Sequence, residues 1–442
     1  MKASVIVPVW NGREHLLECL DALLAQDYPD FEVIAVDNRS TDGSADLIAE
    51  RYPEVQLIRN ERNLGFAGGC NAGLRAATGD VLVLLNQDTV VRANWLYELV
   101  RTLQSDPDVG IVGAKALYPN GVVQHAGGYV NLRGEGKHLG RGQEDLSQFD
   151  EMRDVDYVTG ASLGITREAY ETIGELDDGF SPAYYEDVDW CYRGRANGFR
   201  VVYTPCAVLV HKEASVVIDE ATHKGMYLFH RGRLRFVLKH WKRDRLLEEF
   251  VPAEQAWLMG LGEGRERLVA AIHHACVHNL LRLSDLMKWR QRLLDTSSDE
   301  ADVLTEALLT LRTTIPLDVM RISNAPSDES SSSRTEMLRD LHQSWAIEEH
   351  EFRSDVPIVG PLIAAFRRHW NRISTQWYVR AMNQRQNEFN AKVVAMLALL
   401  SRDHRRPEEA VSEYMKETGR EITELAKELV RLSALLDGEE KG

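Results

Sequence analysis

The chain has 442 residues, with 52 lysines and arginines against 68 aspartates and glutamates, which gives a formal net charge of −16. Nucleic-acid-binding proteins carry basic surfaces, so this balance argues against nucleic acid as a partner. The five cysteines are far apart and include no C-x-x-C pair, which favours a reducing compartment over a zinc ribbon or a disulfide framework. No secretory signal and no apolar run of ~20 residues is visible. We therefore expect a cytoplasmic protein.

Short β-rich runs alternate with helical stretches from Met1 to about His211. The first predicted elements, in chain order, are a strand Ser4–Val9, a helix Glu14–Leu24, a strand Glu32–Val36, a helix Ser44–Arg51 and a strand Val55–Ile58. Val81–Leu85 is a continuous apolar run, which is typical of a strand buried on both faces. This alternation predicts an α/β fold with a largely parallel sheet.

After about residue 215 the pattern becomes helical, and we predict four regions. These are an α/β domain at 1–215, a helical extension at 216–322, a Ser-rich linker at 323–336 and a helical region at 337–442. Within the last region, Val356–Arg380 combines apolar, aromatic and arginine residues without an acid. It suits either a helix at an anionic membrane interface or a helix that faces a partner or the core. A heptad pattern from Val411 to Leu436 predicts a short coiled coil that would pair with itself or with another chain.

Polar residues follow three predicted strands, namely Asn11, Asp37 and Asp88. In open α/β sheets, ligands bind in the crevice at the carboxyl ends of the strands. Asp37 precedes the next helix by too many residues to cap it, so it is predicted to contact a ligand. Asp42 or Ser40 is instead predicted to cap that helix.

Two further segments have both a functional and a structural interpretation. The glycine-rich stretch Asn63–Gly73 opens a helix and could offer N–H groups to a phosphate, although glycines that serve only close packing explain it equally well. Asp88 could anchor a hard divalent cation, with His211 as a second ligand, although each alone is more commonly structural.

Glu186-Asp187-Val188-Asp189 places three carboxylates at the start of a predicted helix. The helix dipole stabilises acidic residues there, which is the structural interpretation. Crowded like charges also raise the pKa of at least one carboxyl, as a general base near neutral pH requires. Aromatic neighbours would suit the face of a sugar, so we favour function at this segment.

Together these motifs resemble those of the inverting glycosyltransferases of family 2, which have the GT-A fold. Matching positions follow the family order over nearly half of the chain: Val7–Asn11, Val36–Asn38, Asp42–Ser44, Asn63–Gly73, Leu85–Asp88, Gly160, Ala161, Gly174, Leu176, Asp177, Glu186–Trp190, Arg193 and His211. The resemblance implies a Rossmann-like GT-A domain followed by an α-helical C-terminal region with a short coiled coil. It also implies sugar transfer from a nucleotide-diphosphate sugar to a glycan or lipid-linked acceptor.

The resemblance implies a role for each matching residue. The donor nucleotide would be held by Pro8, Val9, Asn11, Asp37, Asn63, Gly65 and Asn86, and a divalent metal, Mn²⁺ or Mg²⁺, by Asp88 and His211. Asp187 would be the catalytic base, and the acceptor and diphosphate would be surrounded by Glu186, Asp189, Trp190 and Arg193. The chain departs from the family at Asn86, where many relatives have the first Asp of a D-x-D motif. An amide is a weaker metal ligand than a carboxylate, so this departure affects how tightly the site binds a metal and which metal it binds.

The nucleoside diphosphate is a good leaving group once a divalent ion stabilises its charge, so one base suffices for a single inverting displacement. The segment Gln124–Gly128 and the Asn-x-Asp motif are similar to bacterial rhamnosyltransferases of cell-surface polysaccharide synthesis, which implies dTDP-rhamnose as donor. A lipid-linked acceptor would make peripheral contact with the inner face of the membrane useful.

Two rival functions remain at this point. The weakened Asn86 position favours a non-enzymatic scaffold in a glycan-assembly complex, whereas Asp88, Asp187 and His211 count against it. A nucleotidylyltransferase would need a glycine-rich, basic loop after the first strand, and the sequence has none.

Overall fold

The computed structural model describes residues 1–213, 222–261, 264–294 and 300–314. The chain divides into two compact units, Met1–Ile315 and Pro316–Gly442, and the described residues lie in the first. The predicted linker at 323–336, the candidate interfacial helix at 356–380 and the predicted coiled coil at 411–436 all lie outside the described residues.

A mixed sheet forms the centre of the described structure. Its strands are β1 (Ala3–Val9), β2 (Phe31–Asp37), β3 (Gln56–Arg59), β4 (Val81–Leu85), β5 (Thr89–Val91), β6 (Val109–Leu117), β7 (Val123–His125), β10 (Arg153–Asp154), β11 (Ser162–Thr166) and β12 (Arg200–His211). The order is β10-β12-β6-β11-β4-β1-β2-β3, with β5 paired to β12 and β7 paired to β6. A separate hairpin consists of β8 (Gly128–Val130) and β9 (Gly136–His138).

The first half of the sheet is parallel, as predicted, because β1 pairs in parallel with both β2 and β4, and β2 with β3. The second half is mixed, since β11 lies antiparallel between β4 and β6, and β12 runs parallel to β6. The predicted strand Val81–Leu85 and helix Ser44–Arg51 have the predicted bounds.

Helices cover both faces of the sheet. They are α1 (Arg13–Leu24), α2 (Ser44–Arg51), α3 (Gly65–Ala76), α4 (Trp95–Gln104), α5 (Arg167–Ile173) and α6 (Glu186–Ala196). Val5 and Val7 of β1 share a core with Leu20 of α1 and Leu99 of α4. Ile6 points to the other face, where a Cβ added to Gly73 of α3 would lie 2.4 Å from it. A sheet covered on both faces explains the near-continuous apolar sequence of its central strands.

The polar turn before α2 ties two helix starts together. Asp42 accepts hydrogen bonds from the backbone N–H of Arg13, at the start of α1, and of Ser44, at the start of α2, at 2.9 and 3.0 Å. The N-cap of α2 is Gly43, without a side-chain cap hydrogen bond, so neither Asp42 nor Ser40 caps this helix as predicted; Asp42 instead holds the turn in front of it.

In the described residues after β12, five α-helices follow the sheet, so this described part is helical, as predicted. They are α7 (His223–His240), α8 (Val251–Met259), α9 (Glu266–Leu281), α10 (Leu283–Leu294) and α11 (Glu300–Thr314), and a π-helical segment, Arg245–Phe250, leads into α8. In the described ranges no helix has both the length and the apolar character needed to cross a membrane.

Four basic residues of α7 are buried, namely Arg231, Arg233, Arg235 and Lys239. Arg233 pairs with Glu254 of α8, and both side chains are fully enclosed. Lys239 pairs with Asp177 at 2.8 Å and with Asp189 at 2.7 Å. Helix α7 is therefore joined to the sheet domain by buried ion pairs.

Candidate active site

The carboxyl ends of β4, β1 and β2 lie side by side, because these strands are parallel neighbours. Gln87, just after β4, accepts a hydrogen bond from the Trp10 N–H at 3.0 Å and donates one to the Trp10 carbonyl at 3.1 Å. This side-chain amide joins the loop after β4 to the loop after β1. Gln87 was not predicted from the sequence, since its role depends on the neighbouring strand.

Residues predicted to hold a nucleoside lie around this edge in different environments. Asn11 is exposed in a left-handed conformation (φ 47°), and its side-chain oxygen accepts a hydrogen bond from Thr41 N at 2.8 Å. Asp37 is buried, and its Oδ1 accepts one from Ser40 N at 3.1 Å. Pro8 is partly buried. The Val9 side chain is fully enclosed, so its contribution to the edge is packing.

The glycine-rich segment is arranged for close packing. Asn63 Oδ1 accepts a hydrogen bond from Gly65 N at 2.8 Å, and Phe66 N donates to the Pro182 carbonyl at 3.0 Å. Gly65 has φ +73°, and a Cβ there would lie 3.0 Å from Ser181 Oγ. Because the N–H groups of Gly65 and Phe66 already donate within the protein, these two groups are not available to a phosphate, which favours the close-packing interpretation of the glycines. Contact of Asn63 and Gly65 with the donor nucleotide stays a prediction.

Asp88 and His211, predicted as metal ligands, are brought together by the pairing of β5 with β12. This pairing places His211 opposite Thr89, and Lys212 N donates to the Asp88 carbonyl at 3.0 Å. His211 Nε2 lies 3.3 Å from Asp88 Oδ1 and 3.3 Å from Asn86 Nδ2. His211 thus meets Asn86 and Asp88, which lie more than 120 positions earlier in the sequence, at one position.

The orientation of His211 is set by Gln124 of β7. Gln124 Oε1 lies 2.7 Å from His211 Nδ1, and Gln124 Nε2 lies 3.5 Å from the His211 carbonyl oxygen. Since an amide oxygen only accepts hydrogen bonds, His211 Nδ1 donates to Gln124, and this bond turns Nε2 toward Asp88 and Asn86. Metal-binding histidines are held in this way by a partner on the other ring nitrogen.

The donor set fits a divalent cation. The buried Asn86 Oδ1 has no hydrogen-bond partner in the described structure, and Asp88 Oδ1 lies 3.3 Å from His211 Nε2. A divalent cation between a carboxylate and a neutral imidazole would be held by both. Among the described residues no group of three or more His, Cys, Asp and Glu side chains could hold a metal, so the protein ligands on offer are one carboxylate, one imidazole and the Asn86 amide oxygen.

Glu186 and Asp187 open α6 but differ in exposure. Glu186 is 7% exposed, and its Oε2 lacks a hydrogen-bond partner in the described ranges. Burial, together with the negative charge of Asp187, raises the pKa of Glu186 to about 8. Asp187 is only partly buried, and burial raises its pKa against the opposing effect of two backbone N–H donors. Asp187 is thus the carboxyl of this pair that an acceptor hydroxyl could reach.

A short turn, Thr159–Ala161, joins Asp187 to the candidate metal site. Gly160 N donates to Asp187 Oδ2 at 2.8 Å, while Asn86 N donates to the Ala161 carbonyl at 3.1 Å. Thr159 N in turn donates to His125 Nε2 at 3.3 Å. These contacts place the candidate base and the candidate metal ligands on the two sides of one turn.

Three residues predicted to surround the acceptor are enclosed by the protein instead. Asp189, Trp190 and Arg193 are 0%, 0% and 1% exposed. Asp189 pairs with Arg193 at 2.9 Å, and Trp190 Nε1 donates to the Gly174 carbonyl at 2.8 Å. Contact with an acceptor does not fit side chains without accessible surface, so their role is to pack α6 against its neighbours. The sequence did contain a signal, because Glu186, Asp189, Trp190 and Arg193 share one helical face by their i, i+3, i+4, i+7 spacing, whereas Asp187 lies off it.

Comparison with known proteins finds a family match over part of the chain. Residues 4–174 match the family model described as glycosyl transferase family 2. Through this segment, which contains β4, β11 and the Asn86–Asp88 loop, the chain is similar to glycosyltransferase family 2. The match ends before Asp187 and His211, so the family model does not cover either residue.

Curated relatives are similar over about half of this chain. It is 35% identical over 224 residues to the O-antigen biosynthesis protein RfbC of Myxococcus xanthus, covering 48% of this chain and 17% of that protein. It is 31% identical over 250 residues to the uncharacterized protein y4gI of Sinorhizobium fredii, covering 54% of this chain and 27% of that protein. The chain therefore spans about a quarter or less of the length of both relatives.

Solved structures are similar at lower sequence identity. The crystal structure of GalNAc-T7 with UDP, GalNAc and Mn²⁺ has a TM-score of 0.47 and 16% identity, covering 67% of this chain and 56% of that chain.

Proposed function

We propose that this chain is an inverting glycosyltransferase that moves a sugar from a nucleoside-diphosphate sugar to a hydroxyl group of a glycan acceptor. The observation that supports this most is the Thr159–Ala161 turn, which contacts the partly exposed Asp187 on one side and the Asn86–Asp88 loop on the other. A base for the acceptor and a site for the donor diphosphate are thus held by one short piece of backbone. The family 2 match supports the same class of reaction.

In this proposal Asp187 takes the proton from the attacking hydroxyl. The N–H groups of Gly160 and Val188 both donate to its carboxylate, at 2.8 Å each, so they fix the direction of the side chain and favour its charged form. Burial opposes that charge and raises the pKa, which strengthens Asp187 as a base. Glu186 is a poorer candidate, because its carboxyl is buried and holds its proton up to about pH 8.

The donor side would be formed by Asn11 and Asp37 at the strand ends and by Asn86, Asp88 and His211. A bound Mn²⁺ or Mg²⁺ would stabilise negative charge on the departing nucleoside diphosphate. Gln124 keeps Nε2 of His211 directed at this position. No general acid is assigned, since the leaving group is a stable anion.

The setting we propose is cell-surface polysaccharide synthesis, with dTDP-rhamnose as the donor and a glycan or lipid-linked glycan as the acceptor. The similarity to an O-antigen biosynthesis protein supports the polysaccharide part of this proposal. The donor sugar rests on the sequence of Gln124–Gly128 and on Asn86. Peripheral contact with the cytoplasmic face of a membrane and pairing through C-terminal helices involve residues outside the described ranges, and we propose them on sequence alone.

Calorimetric titration with UDP, dTDP and GDP, each with and without Mn²⁺ or Mg²⁺, tests the donor site. We expect one nucleotide to bind, and to bind more tightly with metal. In Asp88→Ala the metal-dependent part of the affinity should be lost, whereas metal-independent binding should remain. If the wild-type protein bound the nucleotide equally well with and without metal, Asp88 would not be a metal ligand for the donor.

Transfer itself is tested with the sugar donor of the nucleotide that binds. Release of the nucleoside diphosphate in the presence of short glycan acceptors, with NMR detection of an inverted anomeric linkage, is the expected result. The rival scaffold hypothesis predicts no transfer to any acceptor. Nucleotide binding without transfer by a folded protein would favour that scaffold.

A further inference from the structure

The segment that carries the candidate base lies against α7, which is outside the matched family segment 4–174. Arg231 Nη2 donates to the Phe180 carbonyl at 2.7 Å, and Arg235 pairs with Asp177 at 2.9 Å. Further along, Lys239 pairs with Asp189 at 2.7 Å. Helix α7 therefore contacts the segment 177–189 on both sides of Glu186 and Asp187.

Two consecutive tyrosines in left-handed conformations precede these carboxylates. Tyr184 has φ 79° and Tyr185 has φ 77°, a region that bulky residues adopt only when their surroundings enforce it. The Tyr185 carbonyl accepts the first hydrogen bond of α6, from Asp189 N at 2.8 Å. The conformation of this turn therefore sets where α6 begins and where the Asp187 side chain points.

The surroundings of Tyr185 supply part of the restraint. Its ring packs against Phe229 and Phe236 of α7, with centroids 5.5 and 5.8 Å away. Its phenol donates to the Gly134 carbonyl at 2.9 Å and accepts from Gly136 N at 3.2 Å, so it also holds the β8–β9 hairpin.

The closest approach is at Gly232, in the middle of α7. A Cβ at this position would lie 2.6 Å from the Tyr184 carbonyl oxygen and 3.2 Å from Tyr185 Cδ2. Only glycine lets the helix backbone come this close to the turn. A side chain here would have to displace a backbone carbonyl, which cannot rotate away as a flexible side chain can.

We propose that α7 is a positioning element for the catalytic base, with Gly232 as the residue through which it acts. The backbone of α7 at Gly232, with the aromatic contacts of Tyr185, holds the Tyr184–Tyr185 turn in its left-handed form. That turn starts α6 so that Asp187 meets Gly160 N and faces the acceptor. This inference rests on the proposed function, because it assigns the base that Gly232 positions.

The variant Gly232→Ala tests the inference. Alanine in a helix interior is ordinarily favourable, so a loss of activity would not follow from a weaker helix. We expect kcat to fall by about tenfold or more, as a displaced general base implies, whereas the KM for the donor and the Kd for the nucleotide change by less than about twofold. The matched control is Gly260→Ala at the end of α8, where the atom nearest to an added Cβ would lie 3.4 Å away, and it should retain wild-type kcat.

A crystal structure of Gly232→Ala supplies a readout that does not depend on activity. We expect the Tyr184 carbonyl to shift and the 2.8 Å contact between Gly160 N and Asp187 Oδ2 to lengthen or break. An unchanged turn, or an unchanged kcat in an active enzyme, would overturn the inference. A parallel loss of kcat, nucleotide affinity and thermal stability would also overturn it, since that pattern indicates general distortion. If wild type itself transfers no sugar, the proposed function fails, and the crystal structure still decides whether Gly232 sets the turn.

Discussion

At the scale of single residues, two adjacent carboxyls lie in different environments because each leaves the first turn of α6 in a different direction. Glu186 lies on the buried face, where desolvation and the charge of Asp187 raise its pKa to about 8. Asp187 lies off that face and receives the N–H of Gly160. Neighbouring positions in a helix point about 100° apart, so adjacent acids there can differ in role.

Replacing Asp187 by asparagine tests the assignment of the base. We expect kcat to fall by roughly 10²- to 10⁴-fold, because an amide cannot accept the proton. The substituted side chain would keep an oxygen for Gly160 N, so the nucleotide Kd from calorimetry should stay unchanged. In wild type the rate should fall as the pH falls through the raised pKa of Asp187, since only the charged form accepts a proton. Full activity in Asp187→Asn would remove Asp187 from the mechanism.

Replacing Glu186 by glutamine tests its protonation through stability. The pKa of Glu186 is about 8 in the folded protein against an ordinary 4.5, so between these values the folded state binds the proton more tightly than the unfolded state. Stability conferred by this group is therefore lost progressively as the pH rises from about 4.5 to about 8, and the loss is complete above the folded-state pKa. Scanning calorimetry should find the melting temperature of Glu186→Gln rising relative to wild type between about pH 5 and pH 8, by ~2 °C or more. The control is Glu61→Gln, at an exposed position. A melting-temperature difference between Glu186→Gln and wild type that does not change with pH would contradict the prediction.

At the scale of elements, the candidate metal site depends on strands that the sequence does not show to be neighbours. Asp88 follows β4, His211 ends β12 and Gln124 lies on β7. They meet because β12 pairs with both β5 and β6, and β7 pairs with β6. Hydrogen bonding of Gln124 to His211 then fixes the ring nitrogen that faces Asp88.

Gln124 variants test this support. Gln124→Leu removes the acceptor for His211 Nδ1, and we expect metal affinity to fall by about 10- to 100-fold. Gln124→Glu retains an oxygen at the same distance along the side chain and should recover most of that affinity. Titration of Mn²⁺ followed by electron paramagnetic resonance measures both. Nucleotide binding without metal should be equal in the two variants. Equal Mn²⁺ affinities of Gln124→Leu and Gln124→Glu would show that the hydrogen-bond acceptor for His211 Nδ1 has no role in metal binding.

The elements up to β4 could be predicted from the sequence because each is set by local periodicity. Val81–Leu85 and Ser44–Arg51 have the predicted bounds, and the strand-end position of Asp37 follows from the pattern alone. Strand β12 was less visible: two separate β-like runs, 201–203 and 208–210, form one strand, with a register shift between Thr204 and Val208. Pro205 lies at that irregularity, as expected for a residue that cannot donate to a sheet.

The contacts of the candidate site were harder to predict, because they join residues far apart in sequence. The bond from Gln124 to His211 spans 87 positions, and local periodicity contains no information about it. Trp190 is a different case, because a local signal was present. Its aromatic character suggested contact with a sugar, although its helical spacing indicated that it lies on the buried face of α6.

At the scale of the whole described unit, buried ion pairs connect α7 to the sheet domain. Asp177 lies between Arg235 and Lys239, and Asp189 lies between Arg193, Lys239 and His240. The pKa values of Asp177 and Asp189 are both lowered, because the charges of the cations outweigh burial. The sheet domain thus contains carboxylates whose counter-charges are supplied by the helices that follow it.

Lys239→Met should therefore destabilise the whole unit and not only α7. Lys239 is fully buried between Asp177 and Asp189, and removing one member of a buried ion network leaves uncompensated charge, at a typical cost of about 3–5 kcal/mol. Urea denaturation monitored by circular dichroism measures this loss, and tryptophan fluorescence should report the same midpoint if the sheet domain and α7 unfold together.

Arg75→Met is the matched control, because Arg75 pairs with Glu175 at the surface, where the two side chains are 57% and 35% exposed. Exposed pairs of this kind contribute about 1 kcal/mol or less, so this variant should unfold near the wild-type midpoint. Similar small losses in both variants would mean that the buried pairs do not join the two parts of the unit energetically. A large loss confined to Lys239→Met would instead mean that the sheet domain depends on α7 for stability as well as for the position of Asp187.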